Sequence, residues 1–391
     1  MAKKRRKRKP NKKYEVRMHS GTRILAMIGL ILLCLVIVFF CSFIVMRALG
    51  KSKLYGKNAV ADTAMLTEKM QEMNSLGQED SGENGEESAD PNAAQGEAVK
   101  ELEEGQIFID GKVYQYNEDI LTFLCLGVDS KNGVTKEKTP GKAGQADTIL
   151  LMVLNPHDNT MKAIALNRDA MTDIELHDTD GNFAGTEKGQ LALQYAYGNG
   201  RDTSCELMQK TVSNLLYGIP IHAYGAIDMS TIATLTDAVG GVRVTMPEDM
   251  TQFNSSWKEG SEVVLQGQDA LTFVRERDSK SKELGSQLKR LQRQKLFLMS
   301  FINQAKRKTR ADITFPVKLY QDMKDHVVTD LTTDKIAYLA GEVLHYQFDM
   351  DSMIHLDGTY EAGDKNEEFY LDEQTLRETI LQVFYEEVPQ Q

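Results

Sequence analysis

The chain has 391 residues, 41% of them hydrophobic, with a formal net charge of −11. That length admits a membrane anchor plus one large domain or two small ones, and the apolar share is that of a chain with a real core. The charge is unevenly spread. Met1 to Arg23 holds eleven Lys or Arg against Glu15 alone, which leaves roughly −22 for everything after Arg47. An outer domain so acidic, with no helix-turn-helix pattern, excludes nucleic acid as a partner.

Ile24 to Met46 runs 23 residues without a charge. At about 1.5 Å per residue, such a helix crosses a hydrocarbon core of about 30 Å. A signal peptide competes for this segment, with Ala48-Leu49-Gly50 as a faint cleavage site. Its apolar region covers only about 7–15 residues, so the stretch reads as an uncleaved anchor. Lys and Arg are retained inside, which puts the N-terminus in the cytoplasm and the acidic bulk outside. The basic run is then a topology determinant that also meets anionic lipid. The expected organisation is a basic tail (1–23), one transmembrane helix (24–46), a stalk and acidic linker (47–105) and an extracytoplasmic domain (106–391).

Asn58 to Asn74 reads as a weak helix. Gln78 to Gln95 is acidic, small and free of aromatics, so it cannot bury enough surface to fold. Apolar alternation starts near Gln106, and Asp110-Gly111 signals a hairpin. Leu121 to Val128 is a continuous apolar run, the pattern of a strand covered on both faces. TILLMVLN and MKAIALN flank a second turn, Pro156 to Thr160. Helical spacing covers Thr203–Tyr217. HAYGAIDM reads as a strand, then Ser230 to Val239 as a helix capped by Ser230 and ended by Gly240-Gly241, before the strand VRVTM. Helices follow at Gln268–Val274, Ser286–Lys306, Lys335–Leu344 and Glu373–Phe384, with two short strands among them. The order predicts a three-layer α/β/α domain with a mixed central sheet.

Cys34 and Cys41 fall in the apolar segment. Cys125 and Cys205 lie 80 residues apart, and the apolar surroundings of Cys125 favour a buried free thiol over a disulfide. There is no CxxC, GxSxG, HExxH, Walker loop or strand-helix GxGxxG.

What stands out is a set of acids and arginines at strand ends, where an α/β sheet presents its ligand crevice. Asp129 ends LTFLCLGVD, Asp147 opens DTILLMVLN, and Arg168-Asp169 ends MKAIALN. One strand-end acid is unremarkable; three on neighbouring strands are not. Two open-sided carboxylates suit Mg²⁺, which takes oxygen ligands and keeps water and phosphate in its shell. Arg275 and Arg277 share a face only if the helix before them stops near Val274. Arg290 and Arg293 lie three apart on a helix, followed by Gln294. By spacing alone they read as a solvated basic face, although arginine forks also suit phosphate.

In order, FLCLGVDS, ADTILLMVLNPHDNTMKAIALNRD, YAYGNG, LLYGIPIHAYGAIDMSTIATLTDAVGGVRVTMPEDM, LQGQDALTFVRERD and KRLQRQKLFLMSFI resemble the LytR–CpsA–Psr family of cell-envelope phosphotransferases. The resemblance spans roughly Ile120 to Ile302. It implies an enzyme joining a glycopolymer, carried on a polyprenyl pyrophosphate, to peptidoglycan in wall or capsule assembly. It also implies Mg²⁺ on Asp129 and Asp147, with the pyrophosphate held by Arg168, Arg275, Arg277, Arg290 and Gln294. Asp169 would orient Arg168 or deprotonate the acceptor, and Arg293 falls in the second arginine position of R-x-x-R-Q. The partners implied are the lipid-linked glycopolymer, peptidoglycan and the bilayer.

This chain departs from the family pattern at four places. Gln145-Ala146-Asp147 stands where Arg-Ser-Asp is usual, and Asn167 where a proline precedes Arg168. Gln190 to Tyr195 replaces Lys-Ile-Asn-x-Ala-Tyr, and Gln287 an aspartate. These departures leave open a non-catalytic binder of prenyl-linked wall precursors. A transcriptional regulator is the third reading, and the acidic outer domain argues against it.

Overall fold

Regular structure begins where apolar residues start to recur. The computed structural model describes residues 42–56, 65, 68–69, 102–109, 111–129, 134–137, 139–276, 284–363 and 367–389. Most of the expected membrane span, the weak helix at Asn58–Asn74 and the acidic linker lie outside these residues. Among the described residues no helix is long and apolar enough to cross a membrane.

Residues 42–55 are helical. The hairpin expected at Asp110-Gly111 forms from β1 (Gln106–Ile109) and β2 (Lys112–Tyr116), with Ile109 opposite Lys112. Next come β3 (Leu121–Asp129), β4 (Gln145–Asn155) and β5 (Thr160–Leu166). A hairpin of β6 (Met171–His177) and β7 (Phe183–Gln190) follows. Then the chain forms α1 (Asp202–Leu215), β8 (Ala223–Asp228), α2 (Thr231–Ala238), β9 (Val242–Thr245), β10 (Glu262–Leu265) and α3 (Gly267–Arg275). The long α4 (Leu284–Ala311) precedes α5 (Phe315–Met323), β11 (Val327–Thr329) and α6 (Thr333–Glu342). The last elements are β12 (Met353–His355), the pair β13 (Gly358–Ala362) and β14 (Glu367–Leu371), α7 (Glu373–Phe384) and β15 (Tyr385–Glu387).

Six strands make the central sheet in the order β11-β8-β3-β4-β5-β12. β8 runs parallel to β3, and β12 parallel to β5; the other pairings are antiparallel. The sheet is mixed, as expected. Its two faces follow the period-two alternation of a strand. Leu124, Leu126, Val128, Ile149, Leu151, Val153, Ile164 and Leu166 join one core with α1 and α7. Leu121, Phe123, Leu154, Met161 and Ala163 join another with Leu54, Tyr338 and the inner side of α4. Helices therefore cover both faces. A third cluster, around the edge-on pair Trp257 and Phe273, ties α3 and the β9–β10 hairpin to α4.

Ser230 does not cap α2. Its own backbone is helical and its side chain makes no capping bond. The acceptor is Asp228, whose Oδ1 takes the Ser230 N–H at 2.6 Å and whose Oδ2 takes the Thr231 hydroxyl at 3.3 Å. A carboxylate at the end of β8 does the work assigned to the hydroxyl. Gly240 and Gly241, at φ 86° and 89°, end the helix where L-residues with side chains rarely go.

Candidate active site

β3 and β8 point their C-terminal ends, and β4 its N-terminal end, to the same edge of the domain. β5 leads there into the turn Asn167-Arg168-Asp169. Asp129 ends β3, and the neighbouring strand carries a local irregularity beside it. Gly127 faces Thr148, but Val128 faces Ala146, so Asp147 is the residue left over. A bulge bends its strand and re-aims the extra side chain. Asp147 points at Arg168, whose Nη1 donates to its Oδ1. Arg168 Nε donates to Asp169 Oδ1 at 3.3 Å.

Asp169 is held from a second side. The Gln190 amide donates to Asp169 Oδ1 at 3.2 Å and to the Glu367 carbonyl at 2.9 Å. Asn167 Oδ1 accepts the Asp169 N–H at 3.0 Å, and its amide donates to the Tyr360 hydroxyl at 2.8 Å. Phe369 N–H donates to the Asp169 carbonyl at 3.0 Å. The β13–β14 hairpin thus clamps the turn that carries Arg168. Sequence reasoning missed Gln190 and Asn167 as parts of the site. The one available signal was that both fall where the chain departs from the family pattern.

Burial pushes the Asp147 carboxyl above its usual range; Arg168 and Arg290 oppose the shift, while Asp129 and Asp169 reinforce it. The same influences show that Asp129, Asp147, Arg168, Asp169 and Arg290 share one electrostatic environment. Among the described residues no group of three His, Cys, Asp or Glu is spaced to hold a metal ion. Asp129 and Asp147 are a two-carboxylate pair of hard oxygen donors, and Asp147 carries a charge that its surroundings disfavour. That donor set fits Mg²⁺, which completes its shell with water and substrate oxygens.

α3 ends at Arg275, and Glu276 is extended at φ −67°, ψ 144°. The condition for Arg275 and Arg277 to share a face is therefore met at its start; Arg277 lies outside the described residues. Gln294 donates to the Val274 carbonyl at 3.2 Å, which holds the Arg275 end of α3 against α4. The solvated basic face expected for α4 is corrected at Arg293, which is 4% exposed. Its Nε donates to the Phe273 carbonyl at 2.8 Å, and its Nη groups to Glu248 and the Glu276 carbonyl. Arg293 spends its donors on the open carbonyls of the α3 terminus. The Gln287 side chain lies outside the described residues.

Behind the acids, the α4-facing side of the sheet is unusually small. Register aligns Gly225, Cys125, Leu150, Ala165 and His355 in one row across β8, β3, β4, β5 and β12. The first four are all partly exposed although they occupy central strands under a helix. A Cβ built on Gly225 meets no heavy atom within 4 Å. Leu298, Met299 and Ile302 of α4 close the row from above and are themselves only partly buried. The Cys125 side chain belongs to this row. Cys125 and Cys205 are both free, and they lie on opposite faces of the sheet. This row leaves room between the sheet and α4.

A family model of the LytR_cpsA_psr family matches residues 82–383. The chain belongs to the LytR–CpsA–Psr family. Its curated relatives include the polyisoprenyl-teichoic acid–peptidoglycan teichoic acid transferase TagU of Oceanobacillus iheyensis, 26% identical over 57% of this chain and 62% of that one. TagU of Bacillus cereus strain ATCC 14579 is 28% identical over 55% of this chain and 62% of its own. The chain spans about three fifths of the length of these relatives. Among solved structures, Bacillus subtilis TagV superposes with a TM-score of 0.51 at 21% identity, covering 67% of this chain and 96% of that one. TagT bound to LI-WTA gives 0.50 at 22%, covering 73% and 94%. Both share the fold.

Proposed function

We propose that this chain is a membrane-anchored phosphotransferase, which moves a glycopolymer from a polyprenyl-pyrophosphate carrier onto peptidoglycan. The observation that carries this reading is the joining of two features at one sheet edge. Asp129, Asp147, Arg168 and Asp169 gather with Arg290 at one sheet edge, which we read as a cup for a doubly charged phosphate head, and we read the loose row beneath α4 as an apolar slot. The names of the curated relatives supply the substrate class.

In this reading Arg168, Arg275, Arg277 and Arg290 hold the pyrophosphate, and their charge opposes the negative charge that grows on the leaving phosphate. A bound Mg²⁺, held by Asp129 and Asp147, supplies further charge neutralisation to the phosphate oxygens. A sugar hydroxyl of peptidoglycan attacks the glycopolymer-bearing phosphorus. The new P–O bond forms as the bond to the bridging oxygen breaks, and polyprenyl phosphate departs. The hydroxyl proton passes to Asp169, whose carboxylate is steadied by Arg168 and Gln190. Arg293 and Gln294 position α3, and with it Arg275, rather than reaching the substrate. The prenyl chain lies in the slot beside Cys125 and Leu150.

The apolar segment 24–46 anchors the chain once through the cell membrane, with the acidic domain outside. A donor confined to the membrane is met more often by an enzyme confined there. The alternative of a binder without turnover is disfavoured by the departures themselves. Asn167 and Gln190 rebuild the support of Arg168-Asp169 instead of dismantling it.

The test is transfer of labelled glycopolymer to peptidoglycan with and without Mg²⁺. Asp147→Asn should lower transfer by about 10²–10³-fold, the cost of losing one preorganised charged group. Its melting temperature at neutral pH should not fall. A carboxyl raised in the folded state favours folding while protonated and loses that advantage as pH rises through its folded value, so a permanently neutral Asn forfeits nothing there. Undiminished transfer would remove Asp147 from the mechanism.

A further inference from the structure

The helix at residues 42–55 overlaps the end of the apolar segment and is not a loose stalk. One side of it is packed on the domain. Arg47 pairs with Glu342 at 2.9 Å, and Lys53 with Asp334 at 2.8 Å. Gly50 lies so close to α6 that an added Cβ would sit 2.1 Å from the Asp334 carbonyl oxygen. Leu54 is 1% exposed and belongs to the apolar core under α4. The Tyr55 ring meets Tyr338 edge-on at 6.5 Å, and its hydroxyl donates to the Asp119 carbonyl at 3.2 Å.

These contacts fall at the end of the sheet away from the charged cup. Asp119 precedes the start of β3, and Leu54 clusters with Leu121, Leu154 and Ala223. Along the nine residues of β3, at about 3.3 Å each, the two ends lie about 26 Å apart. α4 rises about 30 Å between Arg290 and Arg310. Arg290 is at the cup, while Arg310 donates to the Leu344 carbonyl at 3.1 Å and Lys306 to the Tyr346 carbonyl. That segment directly follows Glu342, the partner of Arg47.

The other side of the 42–55 helix is bare and apolar. Ile44, Val45 and Leu49 are 62%, 56% and 52% exposed. Immediately after them comes the exposed Lys51. A helix whose outer face changes from apolar to basic within one turn matches a hydrocarbon-to-headgroup boundary. Arg310, beside Leu344, adds a base to the same flank of an otherwise acidic domain, where it would favour an anionic surface.

We propose that residues 42–55 form a rigid juxtamembrane strut that seats the remote end of the sheet on an anionic phospholipid surface. Seated there, the domain meets a prenyl-linked donor of the same leaflet at a fixed height and orientation. This rests on the prenyl-linked donor proposed above; the seating itself does not. The domain is held at one orientation to the bilayer, with the cup at the far end and turned toward the wall.

The test uses the full chain in vesicles containing an anionic phospholipid, with its native cysteines kept and a genetically encoded nitroxide amino acid in place of His345, an exposed position between Leu344 and Tyr346. The label should sit at headgroup depth. Gly50→Leu, which forces the strut off α6 without touching the cup, should move it into water. The same variant should lose about tenfold in transfer from a long-chain carrier in vesicles, and nothing from a short, water-soluble carrier. A label in water in the parent protein overturns the proposal, as does an equal loss with both carriers. The label reads seating whether or not the chain transfers anything. Absent transfer by the parent protein would therefore count against the donor reading alone.

Discussion

The two faces of the central sheet are built from adjacent residues of the same strands, yet they are packed to different ends. On the α1 and α7 side, Leu124, Leu151 and Ile164 are fully buried, and Leu126 is 2% exposed. On the α4 side, the neighbours Cys125, Leu150 and Ala165 keep access to solvent, and Gly225 faces open space. Interiors are normally packed as densely as organic crystals, so a face left loose in the middle of a sheet needs a reason. In the proposed function that reason is room for the prenyl chain. α4 is held over that room by polar struts: Arg293 to the α3 terminus, and Lys306 to the Tyr346 carbonyl.

The sharpest way to break this contrast is to cut a strut. Arg293→Ala leaves Glu248 with only the exposed Lys289 as partner, and strips the Phe273 and Glu276 carbonyls of their guanidinium donor. A loss of about 3–5 kcal/mol is expected in denaturant unfolding, because two carbonyls and a largely buried carboxylate lose a charged donor. Next in size, Leu151→Ala on the tight face should cost about 2–5 kcal/mol, whereas Leu150→Ala, its neighbour on the loose face, should cost less than half as much. Equal losses at the two positions would erase the distinction between the faces.

A pH scan probes the well-packed part of the domain. His222 is buried, accepts the Thr122 N–H at 3.1 Å, and is held down to about 4 by burial and then by Lys335. A histidine depressed in the folded state adds stability that is complete above its unfolded value of about 6.5 and is lost as pH falls toward 4. About 3 kcal/mol should disappear over that window, and replacing His222 by Gln should flatten the slope. The smallest effect is expected on the loose face. Gly225→Val fills open space and restricts the unfolded chain, so stability should change by less than about 1 kcal/mol while affinity for a long prenyl carrier falls.

Much of this was legible in the primary structure. The apolar run of β3 and the helix Glu373–Phe384 were readable because burial on both faces, or on one stripe, writes itself into local periodicity. The strand-end acids were readable because such ends mark the crevice of an α/β sheet. The bulge at Asp147 was not, since it depends on how β4 registers against β3 across a loop. The β6–β7 hairpin was hidden because most of β7 is polar and exposed and carries no alternation. Arg293 looked like a surface base until the α3 carbonyls were placed beneath it. Charge spacing along a helix says which residues share a face, but not what the face meets.

The cup and the slot are most directly tested together by a crystal structure with a prenyl pyrophosphate bound. The head should lie against Arg168 and between Asp129, Asp147 and Arg290. The chain should run over Gly225, Cys125, Leu150 and Ala165 beneath α4. A head bound elsewhere, or a chain lying on the outer surface with that row still empty, would contradict the reading.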